Sequence, residues 1–347
     1  SNYIVLHLGL RRYPNEVTIC NLITMDKLNV MGYSSRLPAL RPAPPPSVLE
    51  HAMVTSQSAS TTGTTSIHPD THVNGPVSLT VADLDRSLRY YTEAIGLTLL
   101  ERNGDEATLG IPGSPLLHLV ELPGARPWTE YSTGLYHFAI LLPTRADLGR
   151  WIRHWYDLGM PEFGQGDHLV SEALYLRDPD GHGIEIYRDR PRSEWRWQNG
   201  RVQMASLPVD VPGLLEEAER SGISWTGAPA GTTMGHVHLQ VGDIARARAF
   251  YVDVIGFDVV AEMPTALFIS AGGYHHHLGM NTWHSRGGSP ADPNVAALRH
   301  FTIVQPNDEA RNEVAARLNA AGHPTETHDG TTIVRDPWSN VIHLRTS

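Results

Sequence analysis

Apolar and polar positions along this chain fall into a unit that recurs. From Val77, VSLTVADLDRSLRYYTEAIGLTLL puts apolar residues at alternate positions (Val77, Leu79, Val81) and then at helical spacing (Leu84, Leu88, Tyr91, Ile95), with Gly96 as a stop. That pattern predicts a strand followed by an amphipathic helix. It returns as VHLQVGDIARARAFYVDVIGFDVV, where Asp243, Tyr251 and Gly256 match Asp83, Tyr91 and Gly96 at a displacement of 160 residues. HFAILLP from His137 returns as HFTIVQP from His300, and the turn at Asp178-Pro179 returns at Asp336-Pro337. The chain reads as four copies of a strand, helix and hairpin unit, starting near Val77, Leu135, Gly235 and Leu298. Two copies make up each half.

The most informative single stretch is GQGDHLVSEALYLRDPDGHGIEIYRDR, residues 164–190. It predicts a strand (Ala173 to Leu176), a tight turn at Asp178, Pro179, Asp180 and Gly181, and a second strand through Ile184, Ile186 and Tyr187. Alternation puts Glu185 on one face with Gly183 and Tyr187, and Ile184 and Ile186 on the other. A carboxylate on a face that turns into a cavity needs a partner, and a metal ion is the strongest one.

The regions outside the repeats differ in composition. Residues 37–66 are Pro-rich and then Ser/Thr/Gly-rich, so residues 1–70 are expected to be a disordered, non-core extension, with Met53 a candidate working start. Residues 191–234 read as a linker carrying a short helix begun by Pro212 and two exposed tryptophans, Trp195 and Trp197. The halves are expected at 71–190 and 235–347. A formal charge of −10 argues against nucleic acid or an anionic membrane as partner. No apolar run approaches membrane-spanning length, and YIVLHLGL precedes its arginines, the wrong order for a secretory signal. With Cys20 as the single cysteine, an intrachain disulfide and a cysteine-rich zinc site are excluded, and a reducing cytoplasm is the default.

VADLDRSLRYYTEAIGL and its repeats resemble the vicinal oxygen chelate superfamily of glyoxalase I, bleomycin-resistance proteins and type I extradiol dioxygenases. GLYHFAILLP, SEALYLRDPDGHGIEIYRDRP, MGHVHLQV and SAGGYHHHLGMNTW together resemble its two-domain, catechol 2,3-dioxygenase-like members, over roughly residues 72–345. The resemblance implies an α+β fold of four βαβββ modules in two half-barrel domains, with metal ligands on the first and last strands of a module. The first-strand positions are Pro76, His137, His236 and His300, and the last strands offer Glu185 and His343. If neighbouring modules share a cavity in order, the first half offers His137, Glu185 and Pro76, an incomplete set, and the second offers His236, His300 and His343. If modules two and three share one, it holds His137, His236 and Glu185. The second arrangement is favoured, because two neutral imidazoles and one carboxylate leave Fe(II) a net positive charge and an open face, whereas three histidines neutralise nothing.

The same resemblance implies roles for three further residues. Tyr175, ten residues before Glu185, matches a tyrosine near the substrate. His276 matches an acid/base histidine; alternation would send it to the opposite face from His275 and His277, and the resemblance turns it inward. His168 matches a second pocket histidine, although its distance from Tyr175 departs from the pattern. His238 reads as a pocket wall or a partner to a ligand, His300 and His343 as vestigial, and His323 and His328 as loop residues. The implied activity is extradiol cleavage of a catechol by O2 to a muconic semialdehyde at an Fe(II) site, with Mn(II) accepted by the same ligands. The alternatives are a glyoxalase-type isomerase or lyase, which would need a second carboxylate, and a non-catalytic small-molecule binding protein. Which catechol is cleaved and whether the chain forms a homo-oligomer are open at this level.

Overall fold

In the computed structural model, which describes residues 66–128 and 131–346, each repeat is a strand, a helix and three further strands. Module one comprises β1 (Val77–Val81), α1 (Leu84–Arg89), β2 (Thr98–Asn103), β3 (Glu106–Ile111) and β4 (Ser114–Glu121). Module two comprises β5 (Gly134–Leu141), α2 (Arg145–Asp157), β6 (Gly164–Asp167), β7 (Ser171–Arg177) and β8 (Gly183–Asp189). The linker carries two short strands, β9 (Trp197–Gln198) and β10 (Arg201–Val202), and α3 (Val211–Ser221). Module three comprises β11 (Thr233–Gln240), α4 (Ile244–Arg248), β12 (Asp258–Met263), β13 (Ala266–Ser270) and β14 (Leu278–Asn281). Module four comprises β15 (Leu298–Gln305), α5 (Asp308–Ala320), β16 (Glu326–His328), β17 (Thr331–Arg335) and β18 (Val341–Thr346). The fold is α+β, built on two mixed eight-stranded sheets.

The sheets cross the sequence halves. One runs β12-β13-β14-β11-β5-β8-β7-β6 and joins modules two and three; the other runs β16-β17-β18-β15-β1-β4-β3-β2 and joins modules one and four. Each joint is an antiparallel pairing of two first strands, β11 with β5 and β1 with β15. Residues 71–190 and 235–347 are therefore halves of the sequence, whereas each sheet draws one module from either half. The shared cavity of modules two and three, preferred above on charge, lies within a single chain.

The repeated residues have structural work. Asp83 and Asp243 are the N-caps of α1 and α4, accepting from the backbone N–H of Arg86 and Arg246. Tyr91 Oη donates to Asp178 Oδ2 at 2.8 Å, and its counterpart Tyr251 donates to Asp336 Oδ2 at 3.0 Å. Each clamp ties the helix of one module to the Asp-Pro turn of the next. The expected single helix through Ile95 is α-helical only to Arg89; residues Tyr90–Ile95 form a wider π-helical segment, as do Ala249–Val254 in module three. From that segment Tyr90 Oη also reaches the carbonyl of Arg177, at 3.0 Å.

Two local expectations change. Ile67 is buried in the main core and its N–H bonds the carbonyl of Gly256, so packed structure begins before residue 71. Residues 1–65, with Cys20, Met53 and most of the expected extension, lie outside the described residues. Trp195 is buried rather than exposed, because its ring packs on Tyr274 and His275 and its Nε1 donates to the carbonyl of Arg190; Trp197 is exposed. The linker helix α3 is held through Arg145, which bridges Glu172 on β7 to Glu217 and Asp210.

The Tyr91 clamp predicts a measurable loss. Tyr91→Phe leaves the buried Asp178 carboxylate one donor short, and hydrogen bonds to charged groups contribute about 1.5–3 kcal/mol. Urea denaturation should show a loss of that size, and an unchanged midpoint would remove the clamp from the structure's support.

Candidate metal centre

Register across the sheet of modules two and three assembles the site. His236 on β11 stands opposite Ala139 on β5, and Ala139 stands opposite Glu185 on β8. Glu185 in turn pairs with Tyr175 on β7. His137 lies two residues before Ala139 on the same face, opposite His238. The small side chain of Ala139 leaves open the space between three longer ones.

Into that space the ligand atoms converge. Suitable atoms of His137, Glu185 and His236 all lie within 4.8 Å of one another, the only such group of three among the described residues. Nε2 of His137 is 3.0 Å and Nε2 of His236 is 3.1 Å from Glu185 Oε2, and the three residues are 6%, 3% and 1% exposed. His137 Nε2 is close to the carboxylate yet not aligned as a hydrogen bond, and it has no other hydrogen-bond partner among the described residues. Buried polar atoms are rarely left so. Two imidazole nitrogens and a carboxylate oxygen turned on a common point are the donor set of a divalent cation with open coordination positions, so the residues fit a metal.

The local electrostatics agree. Burial alone would push Glu185 up, but the imidazoles of His236 and His137 outweigh it and hold the carboxyl well below the usual carboxylate range. Burial pushes His137 down, and Glu185 offsets only part of that. His238 is driven well below its ordinary value by burial and then by His137 and His236. His276 moves the same way, by burial and then by His236 and His275. A charged Glu185 carboxylate and a His137 imidazole held toward its neutral form are the states in which these two residues can bind a cation.

The family model for the Glyoxalase/Bleomycin resistance protein/Dioxygenase superfamily matches residues 72–186 and 233–344. The chain belongs to this superfamily. A catechol-2,3-dioxygenase of Bacillus subtilis (strain 168) is 47% identical over 282 residues, which span 79% of this chain and 97% of that protein. A biphenyl-2,3-diol 1,2-dioxygenase 3 of Rhodococcus globerulus is 30% identical over 132 residues, 37% of this chain and 65% of that one. A crystal structure of a Bacillus subtilis subsp. subtilis str. 168 protein shares the fold, with a TM-score of 0.52 at 13% identity, covering 82% of this chain and 85% of that one.

Other residues singled out in this superfamily member fall around the same point. Tyr175 has its ring 5.6 Å from that of His137, and its hydroxyl lies 2.7 Å from His168 Nε2, while His168 Nδ1 lies 2.7 Å from the carbonyl of Ala205. The unusual spacing of His168 and Tyr175 thus still brings them into contact. Burial, and then the charge of Glu185, push the Tyr175 phenol well above its ordinary value. His276 packs on His236 at 4.1 Å between ring centroids. Residues 275–277 are not in a strand, so the alternation expected of them does not apply, and all three histidines are buried. His238 lies beside His137 at 4.9 Å and 3.0 Å from Asn281 Nδ2. His300 and His343 lie apart from this cluster, stacked on each other in the other sheet.

The repeat also explains what the site lacks. Gly279 occupies in module three the register position that Glu185 occupies in module two, and a Cβ there would meet the His238 ring at 2.8 Å. Asp189, Tyr187 and Tyr274, which link into the histidine cluster, were not singled out from sequence, since a tyrosine or aspartate near a strand end carries no spacing signal of its own.

The lowered histidines predict the acid response of the metal-free protein. Unfolded imidazoles titrate near 6.5, so their contribution to stability is complete above that pH and is lost as pH falls toward the lower folded values. Each group can add a slope of up to about 1.4 kcal/mol per pH unit. Stability measured from pH 7 to about 5 should fall, and His238→Gln should remove about one proton's worth of that slope. An unaltered slope would mean His238 is not held neutral.

Proposed function

We propose that the chain is an extradiol ring-cleaving dioxygenase, inserting both atoms of O2 into a catechol to give a muconic semialdehyde. The observation that carries this reading is the buried convergence of His137, His236 and Glu185 in a close homologue of a catechol-2,3-dioxygenase. In this reading these three residues hold Fe(II), and Mn(II) would be accepted by the same set. When bound, the metal supplies Lewis acidity to the two catechol hydroxyls and redox chemistry toward dioxygen.

The chain's own residues do the rest. Glu185 supplies one negative charge, so the centre keeps a net positive charge for an anionic diol. His168, bonded through one nitrogen to the Ala205 carbonyl and through the other to the Tyr175 hydroxyl, orients that phenol toward a substrate hydroxyl. With its phenol pushed up by burial, Tyr175 stays neutral at neutral pH; because His168 Nδ1 donates to the Ala205 carbonyl, the Tyr175 hydrogen goes to His168 Nε2 and the phenol oxygen is left to accept from a substrate hydroxyl. His276, buried and kept neutral, is the base that accepts a hydroxyl proton and later returns it. The site's burial keeps bulk water from competing with the substrate. A four-ligand isomerase site finds no second carboxylate, because Gly279 stands at that position. A non-catalytic binding role leaves the converging ligand atoms without a purpose.

Reconstitution with Fe(II) under anaerobic conditions, followed by catechol and then air, should produce the yellow ring-fission product. Its absence across several catechols would overturn the reading. Glu185→Gln should lower metal affinity by about 100-fold or more in equilibrium dialysis, since a ligand counts for more than its outer partners. A variant that kept stoichiometric iron and turnover would remove Glu185 from the ligand set.

A further inference from the structure

Behind His276 runs a hydrogen-bonded chain that begins at a carboxylate, and its polarity decides which nitrogen of His276 carries hydrogen. Asp189, the last residue of β8, accepts on both oxygens: Tyr274 Oη donates to Oδ2 at 2.9 Å, and His275 Nε2 lies 2.8 Å from Oδ1. The hydroxyls of Tyr187 and Tyr274 are 2.8 Å apart. Because Tyr274 gives its hydrogen to Asp189, Tyr187 is the donor in that pair. A carboxylate has no hydrogen to give, so His275 Nε2 must bear one, and where that is the ring's single hydrogen His275 Nδ1 is an acceptor. His275 Nδ1 lies 2.8 Å from His276 Nδ1, and the only donor left for that contact is His276 Nδ1–H. His276 Nε2 is left as the lone-pair nitrogen, with no hydrogen-bond partner among the described residues.

The surroundings hold this chain in place. Trp195 packs on His275 at 5.2 Å and Tyr187 on His236 at 5.0 Å between ring centroids. Gly235, just before His236, makes room for the Tyr187 hydroxyl, since a Cβ there would run into it. The linker residue Trp195 thus forms one wall of the relay. The two tautomers of a neutral imidazole lie close in energy, so an unheld His276 would populate both, and only one presents a base at Nε2.

We propose that Asp189 is a positioning residue that acts through His275 to hold His276 in its Nδ1–H tautomer, so that Nε2 is available to the proton of a bound catechol. This rests on the acid/base reading of His276 above. Asp189 touches neither the candidate ligands nor the substrate position; it acts at two removes.

The test is long-range proton–nitrogen NMR on the metal-free protein with 15N-labelled histidine, resonances assigned with His275→Phe and His276→Gln variants. In the wild type, hydrogen is expected on Nε2 of His275 and on Nδ1 of His276. Hydrogen on His276 Nε2, or a doubly protonated His275, would overturn the proposal whatever the activity. In Asp189→Ala, His276 should become a mixture of tautomers. In the Fe(II)-loaded form of that variant, kcat should fall by at least ~10-fold while KM for catechol stays within about 3-fold. A wild-type kcat in a folded Asp189→Ala would also overturn it. If wild-type protein opens no catechol at all, the dioxygenase reading fails, and the tautomer spectrum still decides the role of Asp189.

Discussion

Glu185 is a charged carboxylate buried in a sheet, and most of the arrangement around it answers that one fact. An isolated buried ion costs several kcal/mol even after relaxation, so the group survives there only with compensating partners. Its partners come from two other strands and from a different module: His137 beside it on β5 and His236 across the joint on β11. A one-residue slip of β11 against β5 would turn His236 to the opposite face and leave the carboxylate half-paired. The joint between modules two and three is thus fixed by packing and by charge together.

Two kinds of link alternate around the four modules. Sheets join two to three and four to one, while the Tyr91–Asp178 and Tyr251–Asp336 bonds join one to two and three to four. The result is a closed ring of contacts. The clamps are chemically unequal. Asp178 is bonded by His182 as well, and although burial opposes it, that neighbour and Tyr91 hold its carboxyl low; Asp336 has Asn340 at the matching position, and burial leaves its carboxyl raised.

The two sheets differ in the residues they carry at the candidate ligand positions. Where the sheet of modules two and three has His236, His137 and Glu185, the other has Pro76, His300 and His343. Without a carboxylate there is nothing to balance a cation. The rings of His300 and His343 stack at 3.8 Å, and burial together with His343 pushes His300 down to about 3. Ser78 there bonds His118, which fills the register position that is Gly279 beside His238.

The repeats, with Asp83 and Asp243 as matched residues, and the Glu185 hairpin were legible in the residue order, because strand and helix periodicity and turn chemistry are local properties; the candidate ligands were legible through the family resemblance that those repeats carry. Which modules share a sheet was not written in any single stretch. It depends on first strands that meet across 97 residues at His236–Ala139 and across 222 at Ser78–His300, and the charge balance of the ligand set hinted at the outcome. The π-helical turns, the burial of Trp195 and the packing of His276 on His236 are likewise tertiary, since each is set by a partner distant in sequence. The path from Asp189 through His275 to His276 is the clearest case. It joins a strand end to a loop 86 residues away, and hydrogen-bond polarity, which residue order does not encode, emerges only once donors and acceptors stand opposite one another.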